Sequence, residues 1–239
     1  MKDLALLTDF YQLSMMQGYF FTKPDQTAVF DVFYRKNPSG GGYAIFCGLN
    51  EVVDYIENLK FSEDDIAYLK SLNFFKPEFL EFLRGFKFSG EIYAMDEGQI
   101  VFPHEPLIRV KANIMEAQLI ETAILNTINF QTLIATKSSR INFSAQGDSV
   151  MEFGLRRAQG RSAGIYGAKA AIIGGCSATS NVLAAKKFDV PAIGTHSHSW
   201  IQSFDSELEA FRAYAKIYPN STLLLVDTYD TLASGVPNA

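Results

Sequence analysis

The residues best suited to chemistry lie in Gly194-Thr195-His196-Ser197-His198-Ser199-Trp200, which carries two of the chain's three histidines directly behind the short apolar run Val190 to Ile193. An imidazole titrates near neutral pH and can act as a nucleophile or accept a phosphoryl group, while Ser and Thr hydroxyls donate to phosphate oxygens. Two histidines at i and i+2 could also begin a metal site, but no third ligand stands nearby. An ordinary structural loop is the remaining reading.

A second candidate, Glu152-Phe153-Gly154-Leu155-Arg156-Arg157-Ala158-Gln159-Gly160-Arg161, concentrates three arginines in a chain whose formal charge is -5. The planar guanidinium binds carboxylate or phosphate through two parallel hydrogen bonds, and Phe153 offers a face for a planar ring. A solvated basic face at a helix start is the plainer alternative. Gly174 to Asn181 is a run of small residues opening a helix, whose amides and hydroxyls could cradle an anion. Asp227, in Val226-Asp227-Thr228-Tyr229-Asp230, could orient an imidazole, help hold Mg²⁺ or simply cap a helix.

The elements that must position these residues change in texture along the chain. Residues 3 to 20 read as a helix and Thr27 to Tyr34 as a strand; Asn37 to Gly42 then reads as a turn leading to a second strand, Tyr43 to Cys47, which together signal a hairpin. Short helices are expected at 50 to 59, 62 to 72 and 76 to 86, the middle one announced by Ser62 with Asp65 three residues on. Strands near 90 to 95 and 106 to 112 complete an α+β region. Asn113, with Glu116 at the N3 position, opens a long helix to about Ala135.

Beyond it, strands near 149 to 153, 176 to 179, 191 to 194 and 222 to 227 alternate with helices near 163 to 173, 181 to 188 and 203 to 217. Such alternation predicts a parallel sheet or barrel with its chemistry at the carboxyl ends of the strands. The fold class is therefore α/β: an α+β amino-terminal domain over 1 to 130, then the first part of a (β/α) barrel over 131 to 239. A complete barrel needs about 250 residues, so only an incomplete one fits here.

With 48% hydrophobic and 20% charged residues, the composition is that of a globular protein and excludes a disordered or fibrous chain. The acidic balance argues against a nucleic-acid partner. Two distant cysteines, Cys47 and Cys176, make no disulfide framework, and no apolar run approaches membrane-spanning length or forms a signal-peptide core. A cytoplasmic protein with no membrane partner is expected.

Taken in order, Leu7-Thr8-Asp9-Phe10-Tyr11-Gln12, Phe30 to Pro38, Glu97-Gly98 with Phe102-Pro103 and Glu105-Pro106, the long helix into Ala135-Thr136-Lys137, Glu152 to Gly160, Thr179-Ser180-Asn181 and Gly194 to Trp200 resemble the nicotinate phosphoribosyltransferases, over essentially the whole chain. The resemblance implies a barrel of the type II phosphoribosyltransferase kind. It also implies an enzyme of NAD synthesis that joins nicotinate to phosphoribosyl pyrophosphate with ATP as co-substrate and Mg²⁺ as cofactor. By motif position His198 would be the phosphohistidine and Asp227 would hydrogen-bond its other ring nitrogen, with Ser199 beside the substrate phosphates. Related nicotinamide enzymes imply that Phe153 stacks on the pyridine ring and that Tyr11 of a second subunit stacks from the other side, which makes a homodimer with a shared site. Arg156 would face the carboxylate, with Thr179 and Ser180 also at the substrate. Ser180 stands where nicotinamide-using relatives carry an acid, which implies nicotinate over nicotinamide. Arg35, Lys36 and Arg140 are candidate phosphate contacts, the first two equally readable as exposed charge. Members of the family run to about twice this length. Two alternatives follow: a catalytically silent chain that associates with a partner to complete the barrel, and a quinolinate-type phosphoribosyltransferase.

Overall fold

A computed structural model describes residues 4–239, as two compact units dividing after Ser177. Residue 3 lies outside the described residues, but the helix expected over 3 to 20 begins only at Phe10: residues 4–9 form turns and bends ahead of it. In the first unit, α1 (Phe10–Thr22) precedes β1 (Thr27–Val32), and β2 (Ala44–Ile45) leads to α2 (Leu49–Glu57), α3 (Glu63–Ser71) and α4 (Pro77–Arg84). There follow β3 (Glu91–Ala94), β4 (Ile100–Val101), β5 (Ile108–Asn113), the long α5 (Ile114–Ser144), β6 (Met151–Glu152) and α6 (Arg161–Ile173).

The expected hairpin does not form. β1 pairs antiparallel with β5, from Thr27 opposite Asn113 to Val32 opposite Ile108, and β5 pairs on its other side with β3. β2 pairs instead with β4, a two-residue strand the sequence reading lacked. The reason lies in the connection, where Pro38–Gly40 curls into one helical turn with Ser39 at φ 52° and does not reverse the chain between neighbouring strands. β5 shows the alternation of a half-buried strand, with Ile108, Val110 and Ala112 buried and Arg109 and Lys111 exposed. Its buried face meets α5 and α1 in a core that includes Met16, Phe46, Phe79, Leu83, Leu119, Ile120 and Ile124.

Helix starts follow their local chemistry. Ser62 Oγ accepts from Asp65 N–H at 3.1 Å and Asp65 Oδ2 accepts from Ser62 N–H at 2.8 Å, a reciprocal cap. Asn113 Oδ1 accepts from Met115 N–H at 2.9 Å, but Glu116 turns away to accept from the Ser89 amide and hydroxyl. α5 runs nine residues past the expected end at Ala135. The polar run there reads as a helix terminus, yet Thr136, Ser139 and Ser144 donate back to the carbonyls of Thr132, Thr136 and Arg140 and stay within the helix. The domain boundary expected at 130/131 therefore falls inside one continuous helix.

α6 lies close against α5. A β-carbon on Gly174, just past the end of α6, would come 2.3 Å from the Ala135 carbonyl oxygen, and Ser138 Oγ donates to the Ala171 carbonyl at 2.7 Å.

The second unit holds β7 (Ala178–Thr179), α7 (Val182–Phe188), α8 (His198–Gln202), α9 (Glu207–Ile217) and α10 (Val236–Asn238), with a small core of Ile201, Ala210 and Phe211 between α8 and α9. The helix expected at 203 to 217 forms as α9, starting at Glu207 behind its Ser206 cap, and α8 lies in the segment read as a loop. The strand expected at 191 to 194 is one parallel bridge, Ala192 to Thr179, and residues 222–227 form no ladder among the described residues, because a strand needs a neighbour to pair with. The class is mixed helix and sheet, as expected. No helix among the described residues is long and apolar enough to cross a membrane.

Candidate functional site

The two histidines two residues apart differ sharply in environment. His196 is 9% exposed and lies edge-on to Tyr214, ring centroids 4.8 Å apart. Its Nε2 accepts from the Leu225 N–H at 3.2 Å, which leaves the proton on Nδ1, 3.3 Å from the Ser197 carbonyl. Both nitrogens thus serve the backbone, and this imidazole holds the 222–227 segment in place.

His198 is exposed at the first position of α8. Its Nδ1 lies 3.2 Å from Thr228 Oγ1, and Nε2 has no hydrogen-bond partner among the described residues. Thr228 therefore occupies the nitrogen that the resemblance assigns to Asp227. Asp227 itself is exposed, one residue away. Ser199 is exposed, its Oγ 2.6 Å from Ser197 Oγ.

Thr179 is fully buried between its backbone bonds to Pro191 and Ile193, and its Oγ1 accepts from Asn181 N–H at 3.0 Å. Asn181 caps α7 through Ala184 N–H. Ser180, held between these two fixed neighbours, is half-buried.

In the first unit, Phe153 is 49% exposed and Arg156 is exposed on a single helical turn, Leu155–Arg157, closed by Arg157 N–H donating to the Gly154 carbonyl. The neighbouring Arg157, not Arg156, lines a cavity of about 440 Å³ with Glu152, Gln159 and α6. Tyr11 and Lys36 line a separate cavity of about 520 Å³. Desolvation by its surroundings, then the Glu121 and Asp9 carboxylates, raise the Tyr11 hydroxyl above its ordinary value. Arg140 lines a third cavity, of about 550 Å³, and donates to the Ser39 carbonyl at 3.2 Å. The fold thus sets Phe153 just ahead of the turn that carries Arg156 and places His198 against Thr228, while Tyr11 and Arg140 face different cavities.

Two comparisons of sequence bear directly on these segments. Residues 6–129 match the family model described as the nicotinate phosphoribosyltransferase (NAPRTase) N-terminal domain, and residues 149–234 match that of the nicotinate phosphoribosyltransferase (NAPRTase) family. The chain belongs to the nicotinate phosphoribosyltransferase family. It is 47% identical over 238 residues to a nicotinate phosphoribosyltransferase of Bacillus subtilis, covering 99% of this chain and 48% of that one. It is 45% identical over 228 residues to nicotinate phosphoribosyltransferase pncB2 of Mycobacterium tuberculosis, covering 95% and 49%. Human nicotinic acid phosphoribosyltransferase superposes with a TM-score of 0.88 at 29% identity, over 97% of this chain and 56% of that one. A nicotinate-nucleotide pyrophosphorylase from Pyrococcus furiosus, at 24% identity and a TM-score of 0.77, shares the fold. The chain spans about half the length of the curated relatives it matches.

Sequence reasoning missed Thr228, although it sits beside Asp227 in the segment singled out. It also missed an ion triad, in which Lys169 Nζ donates to Glu51 at 2.7 Å and Glu97 at 3.0 Å. Glu97 belongs to a motif noted in the sequence, but no local pattern links it to positions 51 and 169.

Proposed function

We propose that the chain takes part in joining nicotinate to phosphoribosyl pyrophosphate, giving nicotinate mononucleotide and pyrophosphate in NAD synthesis, with ATP hydrolysed through a phosphohistidine at His198. The observation that carries this reading is the contrast between the paired, buried His196 and the exposed His198 with its open Nε2. With Thr228 Oγ1 accepting the Nδ1 proton, the Nε2 lone pair attacks the terminal phosphorus of ATP; the P–N bond forms as the P–O bond to ADP breaks, and water later cleaves the phosphoimidazole. Ser199 lies at the same helix start to meet phosphate oxygens, and Asp227 stands one residue from the ring's partner.

At the other centre, the ring nitrogen of nicotinate attacks the anomeric carbon as the bond to pyrophosphate breaks, through an oxocarbenium-like state. The exposed Phe153 face stacks on the pyridine, Arg156 pairs its fork with the carboxylate, and Thr179 fixes the backbone that presents Ser180. Tyr11 completes the stack from the second subunit of a homodimer, and Arg140, with Arg35 and Lys36, meets phosphate. The alternating elements from β6 onward are part of a type II barrel in the full assembly. No cluster of three or more His, Cys, Asp or Glu able to hold a metal ion occurs among the described residues, so no side chain is assigned to Mg²⁺ and the steps rest on the side chains named. Buried, unpaired Cys47 and Cys176 suit the reducing cytoplasm.

Ser180→Asp tests the substrate. A carboxylate there repels that of nicotinate, so nicotinate binding by calorimetry weakens at least about tenfold, a cost near 1.4 kcal/mol, while nicotinamide binding does not. Equal loss for both, or a wild-type preference for the amide, contradicts the assignment.

A further inference from the structure

Lys169 sits two-thirds of the way along α6, and the Lys169, Glu51 and Glu97 side chains keep only 10%, 11% and 13% of their exposure. Both carboxylates have further donors: Gln131 to Glu51 at 3.0 Å, and the Gly48 N–H and Asn50 Nδ2 to Glu97 at 2.6 and 3.0 Å. One ammonium therefore ties α6 to α2, to α5 through Gln131, and to the Glu97-Gly98 turn. Burial alone would push this ammonium down, but the hydrogen bonds it donates to Glu51 and Glu97 hold it above the usual lysine range, so it stays charged. A buried charge cluster is a weak source of net stability, because desolvation offsets the attraction; its better-attested use is to fix register.

Register matters for α6 because of what its first turns carry. Gly164 approaches Leu155 so closely that a β-carbon would come 2.6 Å from Leu155 Cδ1, and Ala163, Gly164, Gly167 and Ala168 line one cavity with Gly154, Arg157 and Ala158. This face of α6 consists of Gly and Ala, which offer few side-chain knobs to resist rotation or sliding. The polar anchor on another face supplies the missing directionality.

We infer that Lys169 is a positioning residue for the Phe153–Arg156 turn, acting through α6 from its anchorage on Glu51 and Glu97. Only the description of that turn as the pyridine site rests on the proposed function. The test is amide hydrogen exchange on the whole chain, with nicotinate binding as a second arm. Lys169→Met speeds exchange of the Arg157 and Ala158 amides, which close the turn, at least about tenfold while the β1-β5-β3 sheet is unchanged. Lys169→Arg restores slow exchange. Leu83→Ala, a core truncation in α4, serves as the control: it destabilises the fold without loosening the turn selectively. The inference is overturned if the Lys169→Met turn exchanges at the wild-type rate, if turn and sheet loosen together as in Leu83→Ala, or if arginine fails to rescue. In a wild-type chain that binds nicotinate, Lys169→Met also weakens that binding roughly tenfold or more, and unchanged affinity overturns the inference. A selectively loosened turn in a chain that binds no nicotinate upholds the positioning role and counts against the proposed function.

Discussion

Replacing His196 by alanine separates structural from chemical histidine. The substitution removes the acceptor of the Leu225 N–H and the ring packed 4.8 Å from Tyr214. Losing the acceptor of a half-buried amide costs about 1–2 kcal/mol, toward the lower end of the range for unsatisfied groups because water reaches part of the site. Losing the aromatic pair costs about 0.5–1.5 kcal/mol more. The sum, about 1.5–3.5 kcal/mol, lowers Tm by roughly 3–14 °C for a chain of this size. Thermal unfolding followed by circular dichroism reads this directly, and phosphohistidine formation at a temperature where the variant stays folded is retained. A Tm loss below about 2 °C, or loss of phosphorylation by the folded variant, refutes the division of roles between the two histidines.

Other consequences follow from single contacts. Thr228→Val removes the partner of His198 Nδ1 and slows phosphorylation of His198 roughly tenfold or more, with a smaller effect from Asp227→Asn; initial rates of labelling compare the two. Arg109 forms a two-pronged pair with Asp31 across β5 and β1, and its hydrogen bond, ahead of its charge, holds the Asp31 carboxyl below its ordinary value. A depressed carboxyl stabilises the fold above its unfolded pKa, so the deficit of Arg109→Ala is present above about pH 4 and fades as pH falls through the lowered folded value. Both side chains are about a third to a half exposed, so solvent screening keeps the effect small in denaturant titrations across pH.

What the sequence shows and what it hides divide along physical lines. Periodicity and caps located α2, α3, α4 and α7, because Ser62, Asp65 and Asn181 act on amides within three residues. Partner choice in the sheets was hidden, since β2 finds β4 more than fifty residues away and nothing local distinguishes that from a hairpin with β1. α5 outran its expected end because hydroxyls that usually signal a helix terminus bond backward along the helix. At the site, the segment holding His198 was legible, but the choice of Thr228 over Asp227 as ring partner depends on which of two adjacent side chains the backbone turns inward. The Lys169 triad joins residues up to 118 positions apart and leaves no trace in any window.

The central claim, that His198 and not His196 receives phosphate, is tested most directly by incubating the chain with ATP labelled in its terminal phosphate and mapping acid-labile label to residues. The account predicts label on His198 that is absent from His198→Ala and present in His196→Gln held below its melting temperature. No label on the wild-type chain, label that survives His198→Ala, or label that depends on His196 alone would contradict it.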